Sequence, residues 1–251
     1  MLEHSNPNSN QHSTHTSHTF TVSDWKNHQK HTHDENDPVL GHTEPLSKNN
    51  ATCIDVVEEW HKWLFRIPAA IHPNLVQPSS SYKADSSGIQ NPVDVKDNKV
   101  TMVSFVPLKK KEDNVITIPI YDSDYILLGV MTAEACTEEY PSKTEEKDLW
   151  EMVKKETDSV KTIALTIDGI PRMGCYVERR QKLPISNVAN DNLMGIKQEN
   201  MQPNNTIGIV YSGFWALVSV SKLGSGDHLI TLESTGDTYF VGATIALNIL
   251  M

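Results

Sequence analysis

Apolar and polar positions fall into three regimes along the chain. The first fifty residues hold eight apolar side chains, Met1, Leu2, Phe20, Val22, Trp25, Val39, Leu40 and Leu46, scattered among Ser, Thr, Asn and His. Burying so few groups does not offset the entropy of ordering the segment, so residues 1–50 read as a disordered polar tail. Within it, only the patch from Phe20 to Trp25 would dock on a folded domain. From Ile54 to Arg66 the apolar residues Val56, Trp60, Trp63 and Leu64 recur near i, i+4, i+7 and i+8. That spacing predicts an amphipathic helix, with Thr52 or Asp55 as cap and Pro68 as stop. Residues 68–99 carry Pro73, Pro78, Pro92 and the run Ser79-Ser80-Ser81, and read as a long irregular connection.

From residue 100 the period shortens. Val100 to Val106 and Val115 to Tyr121 are β-type runs separated by the charged turn Lys109 to Asn114, and Pro119 marks the second as an edge or bulged strand. Residues 143–156 mix charges with Leu149, Trp150, Met152 and Val153, which predicts a short helix. Val160 to Ile167 alternates and stops at Asp168-Gly169, a two-residue hairpin signal, so Met173 to Glu178 reads as the returning strand. Residues 184–205 are Asn-rich and loop-like. Ile207 to Val220, His228 to Leu232 and Thr238 to Leu250 carry the most strand-like sequence, and Gly224-Ser225-Gly226-Asp227 joins the first two. The whole predicts a mostly β protein, an antiparallel β-sandwich of jelly-roll-like form with one N-terminal helix and one short inserted helix. Residues 51–251 form its single domain: 51–99 supply the helix and connection, 100–251 the strands.

Charge narrows the function classes. The 251 residues carry 22 Lys and Arg against 32 Asp and Glu, a formal net charge of −10. With no basic stripe, nucleic acid and an anionic membrane surface are poor partners. No run approaches eighteen apolar residues, so no membrane span is predicted. Cys53, Cys136 and Cys175 stand far apart without a CxxC pair, which argues against a zinc ribbon or a thioredoxin-type site. One long-range disulfide with a thiol left over and three buried thiols both fit. The sequons Asn50-Ala51-Thr52 and Asn204-Asn205-Thr206 count weakly towards secretion. Met1-Leu2-Glu3-His4 leads straight into polar residues, without the apolar run of a leader peptide. The chain is thus read as cytoplasmic or as a mature exported fragment behind an added methionine.

Several motifs favour the exported alternative. Glu59-Trp60-His61-Lys62-Trp63-Leu64-Phe65-Arg66-Ile67-Pro68 is followed by His72-Pro73-Asn74, and later come Ile167-Asp168-Gly169-Ile170-Pro171, Tyr211-Ser212-Gly213-Phe214-Trp215 and Ser221 to Ile230 with its Gly226-Asp227-His228 core. In this order, across residues 55–234, they resemble a family of uncharacterised, mostly exported prokaryotic β-sandwich proteins. Two departures stand out: Pro73-Asn74 inverts the family's usual Asn-Pro, and Ser212 replaces a usual acidic residue. The resemblance implies an extracellular or cell-surface sandwich, and brings no activity or catalytic residues with it.

Candidate chemistry is sparse. His12, His15 and His18, then His28, His31 and His33, are spaced to offer imidazoles to Zn, Cu or Ni, against the plain reading of a solvated tail. Asp122 and Asp124, in Tyr121-Asp122-Ser123-Asp124-Tyr125, place oxygen ligands suited to Ca at i and i+2, against an Asx-turn in an acidic loop. Trp60, Trp63, Phe65, Phe214 and Trp215 would line a sugar-binding face or, more simply, the core. His61 reads as a partly exposed helical histidine. No G-x-S-x-G, HExxH, P-loop or G-x-G-x-x-G occurs. The first reading is therefore a non-catalytic module that binds its own copies or a surface glycan, with Thr238 to Leu250 as a central strand or one that pairs between subunits. The second is a hydrolase of polysaccharide or ester using Asp122, Asp124, Glu134 and His228. The third is a metal-binding protein working through the tail.

Overall fold

The computed structural model describes residues 19–28, 36–72, 92–103, 115–236 and 240–250. These residues build a mostly β protein of two sheets with few helices, sandwich-like in its layering. In chain order the strands are β1 (Phe20–Thr21), β2 (Val93–Val95), β3 (Asn98–Val103), β4 (Val115–Tyr121), β5 (Tyr125–Cys136), β6 (Val160–Ile167), β7 (Ile170–Arg172), β8 (Cys175–Ile185), β9 (Ile207–Ser219), β10 (Gly226–Gly236) and β11 (Phe240–Leu250). The helices are α1 (Val22–His28), α2 (Cys53–Arg66), α3 (Glu146–Asp158) and the one-turn α4 (Val220–Leu223). The six-stranded sheet runs β1-β6-β10-β11-β4 with β7 beside β6, and the five-stranded sheet runs β2-β3-β5-β9-β8.

Both predicted helices form. In α2 the cap Thr52 and Asp55 bond reciprocally: the Thr52 N–H donates to the Asp55 carboxylate at 2.9 Å. Its apolar stripe lies on the outer side of the five-stranded sheet, where Trp60, Trp63 and Phe65 pack on Leu127, Tyr211, Trp215 and Leu217. His61, expected to be partly exposed, lies fully buried in this layer. The second apolar layer fills the space between the sheets, with Ile126, Leu128, Phe214 and Val218 facing Ile163, Leu165, Ile230, Ile245 and Leu247. The five-stranded sheet is thus covered on both faces, and every residue of β9 is buried.

Sequence expectation and structure differ in several elements, beginning with the end of the connection read over 68–99, where Val93–Val95 pairs with residues 98–100 as a hairpin. Strand β5 has no counterpart in the sequence reading, because Ile126-Leu127-Leu128 shows no alternation when both faces are buried. The strand returning from Asp168-Gly169 is the three-residue β7, after which the chain leaves for the other sheet as β8. Gly174 makes that passage: a Cβ there would stand 2.0 Å from the Trp215 carbonyl oxygen. The sandwich is not purely antiparallel, since β11 pairs parallel with β4 and β3 parallel with β5. Residues 19–28 and 36–50, assigned to a polar tail, lie against the domain: Trp25, Val39, Leu40 and Leu46 are buried, and the Leu40 N–H donates to the Leu217 carbonyl at 2.8 Å. The expected turn Lys109 to Asn114 lies outside the described residues.

Among the described residues, no helix is long and apolar enough to cross a membrane. Cys53, at the start of α2, is disulfide-bonded to Cys175, at the start of β8, and Cys136 is free and buried. Strand β11 pairs with β10 along its length and with β4 from Thr244 to Leu250, so this part of the C-terminal apolar run is a central strand.

Candidate functional site

Asp122 and Asp124 sit in the turn that carries the chain from β4 in one sheet to β5 in the other. Asp122 adopts φ +49°, a left-handed conformation that Asp tolerates better than most residues. The Lys99 ammonium pairs with it. The Asp124 carboxylate accepts the Lys99 N–H at 2.9 Å and the Lys48 ammonium at 3.0 Å. Burial pushes its carboxyl upward, but these donors outweigh it and hold the group below the usual range. Beside the turn opens a cleft of about 530 Å³ at the mouth between the two sheets. Ile120, Val220 and Ile249 supply its apolar part, and Ser47, Ser123, Ser221 and the two carboxylates its polar part.

His228 lies at the same end of the sandwich, across β11 from β4. Its Nδ1 contacts the Asp168 carboxylate at 2.8 Å and its Nε2 the Gly224 carbonyl at 3.3 Å. Asp168 also accepts the Leu229 N–H at 2.8 Å. Burial raises the Asp168 carboxyl, while His228 and the Leu229 N–H lower it further, leaving it below the usual range. The hairpin turn Asp168-Gly169 is thereby clamped to the start of β10. The imidazole and carboxylate form a brace across the sheet end, with no hydroxyl nucleophile in the set.

Glu134 does not join these residues. It stands ten residues along β5 from Asp124, roughly 30 Å away at the rise of an extended strand. Burial first, then the charges of Glu156 and Glu139, push its carboxyl up to about 7. Its Oε2 and that of Glu139 are buried without a hydrogen-bond partner. Glu138 accepts from the Gln202 amide at 3.0 Å. The nearby Cys136 thiol is pushed up to about 12, chiefly by burial. The structure therefore splits the four expected catalytic residues: Asp122, Asp124 and His228 at one end of the sandwich, Glu134 at the other.

The sequence reading missed a buried polar group under α2. The rings of His61 and Tyr211 lie 4.0 Å apart, and the His61 Nδ1 contacts the Val57 carbonyl at 2.9 Å. Burial drives the His61 imidazole down to about 3 and raises the Tyr211 phenol, which the Glu58 charge raises further. Trp60 and Trp215 stand edge to face at 6.1 Å. The aromatic residues quoted for a sugar face are therefore core. Pairing His61 with Tyr211 would have required knowing that α2 crosses β9, which no local pattern states.

Of the tail histidines, His12, His15, His18, His31 and His33 lie outside the described residues, and His28 ends α1. Among the described residues, no three His, Cys, Asp or Glu side chains are grouped to hold a metal ion, and Lys48 and Lys99 occupy the carboxylates considered for Ca. Comparison with known protein families, with curated protein sequences and with solved structures finds no match.

Proposed function

We propose that the chain is an exported, non-catalytic module, a jelly-roll-like sandwich, that binds a surface glycan on the outer face of its six-stranded sheet. The composition of that face carries the reading. Side chains alternate along its strands, so Ile163, Leu165, Ile230, Leu232, Ile245 and Leu247 point inward, and the residues between them face outward. Thr166, Thr231 and Thr244 stand side by side across β6, β10 and β11. Leu229, Leu250 and Tyr121 add apolar surface that is 47%, 51% and 57% exposed. Asp227 on this face is bonded to Asn248 at 2.6 Å. A hydroxyl row beside aliphatic and aromatic side chains suits a neutral sugar, whose C–H faces rest on apolar groups while its hydroxyls exchange hydrogen bonds.

Two further observations support it. The Cys53–Cys175 bond suits an oxidising compartment outside the cytosol. The hydrolase alternative retains one favourable feature, the raised Glu134 carboxyl, but that group lies far from the cleft beside Asp122 and Asp124. Mixing the protein with insoluble cellulose, chitin and β-1,3-glucan tests the reading. Depletion of the protein from solution by at least one of them, with no release of reducing ends, is the expected result. Release of reducing ends that a Glu134→Gln or Asp122→Asn variant loses would establish the hydrolase instead.

A further inference from the structure

We infer that Asn50 and Asn204 are acceptor sites for N-linked glycans, and that the two glycans stand beside the two ends of α2, the helix that covers the five-stranded sheet. Export, proposed above, supplies the compartment in which such transfer takes place, and the inference rests on that part of the reading.

Chemistry sets the requirement. A glycan is joined to the side-chain amide of Asn in Asn-x-Ser or Asn-x-Thr, where x is not Pro, and Asn50-Ala51-Thr52 and Asn204-Asn205-Thr206 both comply. The donor is an oligosaccharide held on a lipid diphosphate. The Asn nitrogen forms a bond to C1 of the first sugar, and the bond from that carbon to the diphosphate oxygen breaks. The diphosphate leaves with the electron pair, and the amide gives up one proton to a base of the transferase. The attached group is bulky and polar, so its Asn has to end on the surface of the folded chain.

Both sites meet that condition, and each is set apart from an Asn beside it. In the pair Asn49-Asn50, the Asn49 amide is bonded to the Asp97 carboxylate, while Asn50 is exposed in a turn. In the pair Asn204-Asn205, the Asn205 amide donates to Asn190 Oδ1 at 3.1 Å and its oxygen accepts from Gln198 at 3.4 Å, while Asn204 is exposed in a turn. The Asn that the fold holds by its side chain is in each pair the one the motif does not use.

The fold also fixes where the glycans lie. Asn50 stands two residues before Thr52, the cap of α2. At the other end of the helix, Arg66 Nε donates to the Ser186 carbonyl at 3.1 Å, and the Ala189 N–H to the Phe65 carbonyl at 3.0 Å. Between these two contacts the Asn187 N–H donates to the Asn204 carbonyl at 3.2 Å, which ties the second site to the end of α2. The 14 residues of α2 rise about 21 Å, so the two attachment points bracket the helix. The outer face of the six-stranded sheet lies on the other side of the sandwich. Sugars carried by the chain and sugars bound by that face therefore do not compete.

The test expresses the full chain behind a leader peptide in a eukaryotic secretory host. The intact mass of the protein in the medium is measured before and after an amidase that removes N-linked glycans and leaves aspartate. Two glycans are expected, with aspartate at both positions after the amidase. Asn50→Asp and Asn204→Asp, which suit the turn conformations, are each expected to lose one glycan. Thr206→Ser is expected to keep the second and Thr206→Ala to lose it. Secreted protein with both residues unmodified overturns the inference and leaves the glycan-binding face to its own test. Modification of only one of them overturns the bracketing of α2, as does retention on polysaccharide that appears only after the amidase. Glycosylated protein that no polysaccharide retains, before or after the amidase, supports the two sites and removes the glycan-binding reading.

Discussion

His61 is fully buried and Glu134 half-buried, and the two make stability depend on pH in opposite senses. Burial holds the folded His61 near 3, against 6.5 for an ordinary imidazole. The native state thus binds fewer protons than the unfolded chain between those values. Its contribution is in place above about pH 6.5 and is lost as pH falls towards 3, at about 1.4 kcal/mol per pH unit. Glu134 is raised from 4.5 to about 7, so the native state binds more protons there, and stability present below 4.5 is lost as pH rises towards 7. Between about 4.5 and 6.5 the two slopes oppose one another and the stability curve flattens. Denaturant unfolding of Glu134→Gln is expected to show a gain over the wild type at pH 8 that vanishes at pH 4. A loss of stability at pH 8 would show that the carboxylate is held by a partner cation. The complementary variant His61→Phe, which keeps a ring against Tyr211, is expected to flatten the acid limb of the same curve.

At the scale of elements, long-range ties hold what local pattern does not. The disulfide joins residues 122 apart in sequence, fastening α2 to the start of β8. Closing so long a loop restricts the unfolded chain strongly, and Cys175→Ser is expected to lower stability by about 2–4 kcal/mol under non-reducing conditions. Equal unfolding midpoints for the variant and the oxidised wild type would mean that the bond constrains little. Most elements legible in the sequence have one wet face: α2, α3, β4 and β6 show their period and match their expected spans closely, and the fully buried β9 is legible instead from its run of Ile, Val, Tyr, Phe and Trp. Strand β5 was missed because Ile126-Leu127-Leu128 shows no alternation and its later half carries Ala133, Glu134 and Ala135, residue types of low strand propensity, and α1 because seven residues are too few to display a period. The hairpin turn at Asp168-Gly169 was legible from its dipeptide, but the passage of β8 into the other sheet depends on the close approach of Gly174 to Trp215, a contact between distant parts of the chain.

The motifs quoted from the sequence find one another in the whole molecule: Trp60 meets Trp215, His61 meets Tyr211, and Asp168 meets His228. In these contacts the side chains pack and brace the fold. The candidate binding surface was the least legible feature of all. Its threonines are scattered over β6, β10 and β11, and only strand register brings Thr166, Thr231 and Thr244 into one row. Strand β4 at the sheet edge carries Pro119, which lacks the N–H that strand addition uses, and β11 is flanked by β4 from Thr244 to Leu250. The most direct measurement is the binding isotherm of the double variant Thr231→Lys, Thr244→Lys on the insoluble polysaccharide that retains the wild type. The account predicts at least a tenfold loss of affinity with an unchanged melting temperature. Affinity equal to that of the wild type would contradict it.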